Sequence, residues 1–194
     1  ASREELAENS VGGAENVARA AAEAGAERLI FISSSAALYL GDPNETVTME
    51  TPADPRPDER ADYARAKVLS EKAMHEIDGV PVVIMRPAVV VGEGGYPFHS
   101  ALGAYENETH CLGWNDGRNP LPFVLVDDVA DAIVKALAAD CGEVAGKAFN
   151  LVGDVRWSAR TYTEELARAT GRPLRFHGSS VHALAASEWV KWTV

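Results

Sequence analysis

The sequence has little cysteine, no long apolar run and fewer basic than acidic residues. Its 194 residues include two cysteines, Cys111 and Cys141, which are too few for a disulfide framework in a chain of this length. No apolar run approaches the roughly 18 residues that a membrane-spanning helix needs, and no charged-then-apolar leader is visible. These absences predict a cytoplasmic protein with reduced cysteines that does not enter a membrane.

The charge balance and the histidine spacing exclude two further classes of partner, nucleic acids and metal ions. The chain carries 29 acidic and 18 basic residues, for a net charge of −11. Phosphate backbones are bound by clustered lysines and arginines, and the sequence contains no such cluster, so we expect no nucleic-acid partner. The five histidines show no metal-ligand spacing, so we expect no metal site.

The most informative stretch is Asp-Tyr-Ala-Arg-Ala-Lys at residues 62–67. On a helix, Tyr63 and Lys67 would share a face, because residues four apart are neighbours there. An ammonium group beside a phenol favours the phenolate, which suits a group that exchanges protons with a substrate. Taken alone, the pair could equally be an exposed helix face with an aromatic residue and a solvated lysine.

A row of serines strengthens the chemical interpretation. Residues 28–33 predict a buried strand that leads directly into Ser33, Ser34 and Ser35. The carboxyl ends of strands in open α/β sheets are where such folds bind ligands. The Ser35 hydroxyl could hold a substrate oxygen while Tyr63 exchanges a proton with it. The pattern therefore predicts oxidation or reduction of a carbinol.

Four segments, in order, resemble the extended short-chain dehydrogenase/reductase family, the NAD-dependent epimerases and dehydratases. They are Ser-Ser-Ser-Ala-Ala-Leu-Tyr at 33–39, Tyr-x-x-x-Lys at 63–67, the Arg-Pro strand-loop at 83–92, and the strand and helix start at 123–130. The resemblance covers nearly the whole chain. It implies an oxidoreductase, epimerase or dehydratase that uses NAD or NADP and acts on a small carbinol or sugar-type molecule.

For the fold, the resemblance implies an α/β chain with a Rossmann-like, doubly wound parallel sheet and a small C-terminal substrate lobe. We expect residues 1–92 and 123–152 to form the partial Rossmann core. The substrate-binding lobe would be discontinuous, over residues 93–122 and 153–194.

The periodicity of the chain predicts where its elements lie. Helices are expected over residues 10–24, 61–77, 127–139, 162–170 and 182–194, and strands over 28–33, 82–85, 123–126, 147–152 and 174–176. Asp127 and Asp128 are expected to cap the third helix, Thr161 to cap the fourth, and Gly171 to end it. Residues 93–122 read as a long irregular region.

Family members begin with a Gly-rich strand-turn-helix that cradles the cofactor pyrophosphate. The early pair Gly12-Gly13 follows no strand, so it is not that loop. We therefore expect the N-terminal strands of the Rossmann sheet to be absent, the chain to be a truncated portion of a longer enzyme, and NAD binding by this segment alone to be weak or absent.

The resemblance also implies roles for individual residues. Ser35 would hold the substrate oxygen, with Ser34 as the near alternative, and Tyr63 would be the acid/base. Lys67 would hold the nicotinamide ribose. The implied cofactor contacts are Asn9, Ser33, Ser34, Tyr63, Lys67, and the backbone of Pro87, Ala88 and Val89. Asn9 could equally be the N-terminal cap of the first helix.

Three positions depart from the pattern of sugar-nucleotide epimerases. Val89 stands where an Asn commonly contacts the substrate, Leu121 stands where an Arg commonly pairs with the diphosphate, and Leu125 replaces a His. A bidentate phosphate partner has no equivalent substitute, so these departures argue against a UDP- or dTDP-sugar substrate. Arg118 could replace the missing Arg only if its loop bends.

A second class of function stays open, that of a catalytically inactive relative that keeps the scaffold to bind a metabolite or a partner. The presence of Ser35, Tyr63 and Lys67 favours the enzyme. A homodimer formed through the helices around Ala14 and Tyr63 is a further expectation that rests on the resemblance.

Overall fold

The computed structural model describes residues 3–39, 46–106 and 108–180. The chain is an α/β protein that divides into two compact units. The core unit comprises Ala1–Ala88 and Val126–Val152, and the second unit comprises Val89–Leu125 and Gly153–Val194.

The elements of each unit follow. In the core unit they are α1 (Arg3–Glu23), β1 (Leu29–Ile32), α2 (Asp62–His75), β2 (Val82–Pro87), α3 (Val126–Ala138), α4 (Cys141–Val144) and β7 (Ala148–Leu151). In the second unit they are β3 (Val89–Val91), β4 (Ala104–Glu106), β5 (His110–Trp114), β6 (Phe123–Leu125), α5 (Ala159–Thr170) and β8 (Arg175–Ser179). Short 3-10 turns lie at Ser35–Ala37 and Pro57–Glu59 in the core unit.

The core unit is built on a parallel sheet in the order β1-β2-β7. Every residue of the central strand β2 is buried, which fits its continuous apolar run. Alternate β2 residues pack into two separate apolar clusters. One cluster joins Val82 and Ile84 to residues of α1 and α2, and the other joins Val83 and Met85 to residues of α3 and α4. Helices therefore cover both faces of the sheet, as the predicted doubly wound fold requires.

The second unit contains strands that the sequence pattern did not predict. Strands β4 and β5 pair antiparallel, and β5 pairs parallel with β8. The expectation of an irregular region over residues 93–122 was therefore wrong. In β5 the Cys111 side chain is fully buried, and the strand pairs with β8, which lies far along the chain. Local periodicity cannot reveal such a distant partner.

The unit boundary also differs from the predicted division. Residues 89–92 and 123–125 were assigned to the Rossmann core, whereas the structure groups them with the second unit. Strand β3 pairs with β6 in a separate two-stranded sheet, and within the described residues neither strand joins β1-β2-β7.

Two predicted helix caps are corrected. Helix α3 begins at Val126, so Asp127 and Asp128 lie within its first turn, where their charges favour the helix dipole. Helix α5 is capped by Ser158, whose Oγ accepts a hydrogen bond from the Thr161 backbone N–H at 3.1 Å. Gly171 ends α5 in the left-handed conformation, as predicted. The helix predicted over residues 182–194 lies outside the described residues.

Candidate active site at the end of strand β1

Helix α2 presents Tyr63 and Lys67 on one face, as their spacing predicts. The Tyr63 side chain is 61% exposed. The Lys67 Nζ donates a hydrogen bond to the Ile32 carbonyl oxygen at 2.9 Å and lies 5.9 Å from the centre of the Tyr63 ring. The ammonium group is therefore anchored at the carboxyl end of β1 beside an accessible phenol. A lysine carries three donor hydrogens, so Lys67 can also bind a ligand there.

The three serines after β1 have different environments. Ser33 is buried, and its hydroxyl donates to Glu71 Oε1 at 2.5 Å. Ser34 caps the 3-10 turn Ser35–Ala37 by accepting a hydrogen bond from the Ala36 N–H at 3.2 Å. The expected cofactor contact from Ser33 does not fit this geometry, because its hydroxyl is committed to Glu71 and shielded from solvent.

Ser35 has the hydroxyl that is available to a ligand. It opens the 3-10 turn, is half-buried, and makes no side-chain hydrogen bond within the described part of the chain. Helix α2 packs against this turn. The Ser34 oxygen already accepts the bond that caps the turn, so Ser35 is the one of these two serines whose hydroxyl makes no hydrogen bond within the described residues.

A buried ion pair lies beneath these groups. Arg86 of β2 donates from Nε to Glu71 Oε1 at 2.9 Å and from Nη2 to Glu71 Oε2 at 2.6 Å. Glu71 is 1% exposed and Arg86 is 5% exposed. The sequence analysis did not identify Glu71. The signal for it was present, since Glu71 follows Tyr63 and Lys67 at the same spacing of four.

Further polar contacts hold the Pro-rich loop, residues 51–60, beside the serines. Arg60 pairs with the buried Asp54 at 3.1 Å and donates from Nη2 to the Ala36 carbonyl at 3.3 Å. Arg86 Nη1 reaches the Thr51 carbonyl at 3.3 Å. The loop is thus held against the 3-10 turn through the bond from Arg60 to Ala36.

The remaining predicted cofactor contacts lie as follows. Asn9 is an exposed residue within α1, which begins at Arg3, so the alternative of a helix cap is excluded. The Ala88 N–H donates to the Leu151 carbonyl at 3.1 Å, and the Val89 N–H donates to the Pro122 carbonyl at 2.9 Å. Because Pro87 has no N–H, any backbone contact to a cofactor from these three residues must use carbonyl oxygens.

The three positions that depart from the sugar-nucleotide pattern, Val89, Leu121 and Leu125, carry apolar side chains. Leu121 packs against the apolar core of the second unit, Val89 is buried, and Leu125 is 55% exposed. Arg118 is exposed and pairs with Asp116, with 3.2 Å between Nε and Oδ2. A bidentate diphosphate clamp is therefore not visible at these positions.

The cysteine and histidine side chains of the second unit do not form a nucleophile. The Cys111 thiol is fully buried and faces the Leu102 carbonyl oxygen at 3.8 Å, while His110 contacts His177, with 2.7 Å between Nδ1 and Nε2. Burial raises the pKa of the Cys111 thiol, which disfavours the reactive thiolate. Among residues 3–39, 46–106 and 108–180, no three His, Cys, Asp or Glu side chains form a metal-binding group.

Thiol labelling tests this environment. We expect an aromatic disulfide reagent at pH 8 to modify Cys141, which is partly exposed, and to spare Cys111 until the protein is unfolded. The Cys141→Ser variant is the matched control, and its one remaining thiol, that of Cys111, should not be labelled rapidly. Rapid labelling of Cys111 in that variant would contradict the buried placement.

In the described part of the chain, no helix combines the length and apolar character needed to cross a membrane.

Comparisons with known proteins place the chain in an enzyme family. The model of the NAD dependent epimerase/dehydratase family matches residues 1–151. The chain is 28% identical over 165 residues to short-chain dehydrogenase/reductase family 42E member 1 of Mus musculus, and the aligned region covers 78% of this chain and 42% of that protein. It is 29% identical over 174 residues to the UDP-glucose 4-epimerase of Mycolicibacterium smegmatis, and the aligned region covers 83% of this chain and 52% of that protein.

Solved structures show the same fold. The UDP-glucuronic acid 4-epimerase of Bacillus cereus, in complex with UDP-glucuronic acid and NAD, matches with a TM-score of 0.70 at 20% identity, over 89% of this chain and 55% of that one. The dTDP-glucose 4,6-dehydratase DesIV of Streptomyces venezuelae, with NAD and TYD bound, matches with a TM-score of 0.68 at 23% identity, over 89% and 54%. The chain spans about half the length of these proteins.

Proposed function

The chain belongs to the NAD dependent epimerase/dehydratase family, and from that premise we propose that the protein is an NAD(P)-dependent oxidoreductase, epimerase or dehydratase. Its substrate would be a carbinol of a sugar-type molecule. The observation that carries this proposal is the accessible phenol of Tyr63 beside an ammonium group that Ile32 anchors at the carboxyl end of a parallel strand.

Each side chain has a distinct role in the proposed reaction. Tyr63 exchanges a proton with the substrate hydroxyl, Ser35 holds the same oxygen by a hydrogen bond, and Lys67 binds the nicotinamide ribose. The cofactor, when bound, supplies the hydride chemistry. The residues present fit the ribose end of a dinucleotide, because Lys67 has spare donors at a strand end, where such folds bind ligands.

The substrate class is proposed more narrowly than the family name suggests. Two of the compared proteins are named for UDP-sugars. In this chain Leu121 is packed in an apolar core and Arg118 is paired with Asp116, so neither offers a free guanidinium to a diphosphate. We therefore propose a sugar-type carbinol that does not depend on a bidentate arginine at these positions.

The alternative is an inactive relative that binds a metabolite. The two functions are separated by assaying the full-length protein with NAD⁺ and NADP⁺ against free sugars, polyols, UDP-hexoses and dTDP-hexoses. An oxidoreductase would raise the absorbance at 340 nm as the nicotinamide is reduced. An epimerase or dehydratase would convert a substrate to its epimer or to its dehydrated product. Binding of a substrate without any conversion under either cofactor would favour the inactive relative.

The role of Lys67 is tested by cofactor affinity. We expect Lys67→Ala in the full-length protein to weaken NAD binding by about tenfold or more, because hydrogen bonds from charged donors contribute about 1.5–3 kcal/mol. Lys72→Ala is the matched control, since Lys72 is an exposed lysine of the same helix. Isothermal calorimetry measures both variants, and equal affinities for the two would contradict the assignment.

A further inference from the structure

A single stripe of helix α2 joins the candidate site to the interior of the core unit. Tyr63, Lys67 and Glu71 follow one another at intervals of four, and their side chains run from the surface at Tyr63 to full burial at Glu71. Lys67 bonds to the carbonyl of Ile32, and Glu71 accepts from the hydroxyl of Ser33. Successive turns of the helix are therefore tied to successive residues at the end of β1.

Arg86 holds the buried end of this stripe, at Glu71. Its guanidinium holds both oxygens of Glu71, at 2.9 and 2.6 Å, and the same guanidinium reaches the Thr51 carbonyl. Helix α2, strand β2 and Ser33 at the end of β1 thus meet at the Glu71 carboxylate, and Arg86 links that carboxylate to Thr51. The bonds of a bidentate pair are directional, so they define the position of α2 along its axis more sharply than apolar contacts do.

The position of α2 along its axis decides whether Tyr63 and Ser35 can reach one oxygen. Helical residues advance by about 1.5 Å each, and a displacement of about 1 Å in a catalytic group can cost about 10²-fold in rate. Ser33 stands two residues before Ser35, so the Ser33–Glu71 bond constrains both partners of the proposed reaction.

We propose that the Glu71–Arg86 pair, through Ser33, is a positioning element that sets the register between α2 and the end of β1. Glu71 and Arg86 touch neither substrate nor cofactor in this scheme, and they act through Ser33 and the helix that carries Tyr63, while Lys67 keeps its own bond to the Ile32 carbonyl. The proposal rests on the proposed function, because it assigns these residues to the same reaction.

Stability alone does not account for such a pair. Replacing a buried ion pair with apolar residues of similar volume is often neutral or stabilising, because the charges no longer have to be desolvated. A variant that is fully apolar at this position should therefore fold while losing the directional bonds. Such a variant separates positioning from folding, which the substitution of only one partner of the ion pair cannot do.

The test compares the full-length protein with its triple variant Ser33→Ala, Glu71→Leu, Arg86→Met. The first readout is the ¹⁹F NMR line of fluorotyrosine-labelled Tyr63, assigned by its loss in Tyr63→Phe. We expect one sharp line in the wild type and a broadened or split line in the triple variant, at a thermal midpoint similar to the wild type. An unchanged line in a folded triple variant overturns the positioning role.

The second readout is kinetic. We expect the triple variant to lose about 10²-fold in kcat while KM for NAD changes by less than about threefold. A kcat within threefold of the wild type overturns the proposal. If the triple variant does not fold, Ser33→Ala alone is measured, and an unchanged Tyr63 line and kcat in that variant also overturn it. If the wild type shows no turnover, the proposed function fails, and the NMR line still decides the register.

Discussion

Tyr63→Phe is expected to lower kcat of the full-length protein by about 10²- to 10⁴-fold, the range that general acid/base catalysis contributes. Phenylalanine keeps the ring and removes only the hydroxyl that exchanges the proton. Because Tyr63 is 61% exposed, the substitution should leave the fold and its thermal midpoint unchanged. The measurement is steady-state turnover with the preferred nicotinamide cofactor, together with a thermal melt of the same sample.

Two comparisons make this expectation specific. Lys72→Ala, on the same helix but outside the Tyr63 stripe, should keep wild-type turnover. The affinity of Tyr63→Phe for NAD should stay within a few-fold of the wild type, since Lys67 is intact. Turnover by Tyr63→Phe within about threefold of the wild type would end the assignment of Tyr63 as the acid/base.

The second large effect concerns stability. Removing one partner of the Glu71–Arg86 pair, as in Arg86→Met or Glu71→Leu, is expected to lower the free energy of unfolding by about 3–5 kcal/mol. The remaining charge would be buried without its partner, since Glu71 is 1% exposed and Arg86 is 5% exposed. Urea unfolding followed by circular dichroism measures the difference.

An exposed ion pair of the same core unit provides the matched control. Arg19 and Glu15 on α1 are 3.7 Å apart, with side chains 66% and 36% exposed. Water screens such a pair, so Arg19→Met should change the free energy of unfolding by about 0–1 kcal/mol. Equal effects of Arg19→Met and Arg86→Met would show that burial does not set the cost of losing the Glu71–Arg86 pair.

The parts of the fold that local sequence determines were predicted correctly. Strand β1 and helix α2 followed from an apolar run and from helical spacing, and both are present with small shifts of their ends. Strand β2 was predicted over residues 82–85 and is present over Val82–Pro87. The shared face of Tyr63 and Lys67 follows from helix geometry alone.

The parts that failed depend on partners far along the chain. Strand β5 is paired with β8 some 65 residues later, which no window of local sequence contains. Ser33 looked equivalent to Ser34 and Ser35 in sequence, and only its contact with Glu71 removes it from the candidate site. The expected role of Asn9, the homodimer and the weak NAD binding of this segment stay predictions.

The most direct test of the account is a crystal structure of the full-length protein with NAD bound. The account predicts that the nicotinamide ribose lies within about 3 Å of Lys67 Nζ, a normal hydrogen-bond distance, with the Tyr63 hydroxyl and the Ser35 hydroxyl facing the same side of the nicotinamide ring. A nicotinamide bound away from the carboxyl end of β1, with Tyr63 pointing into solvent, would contradict it.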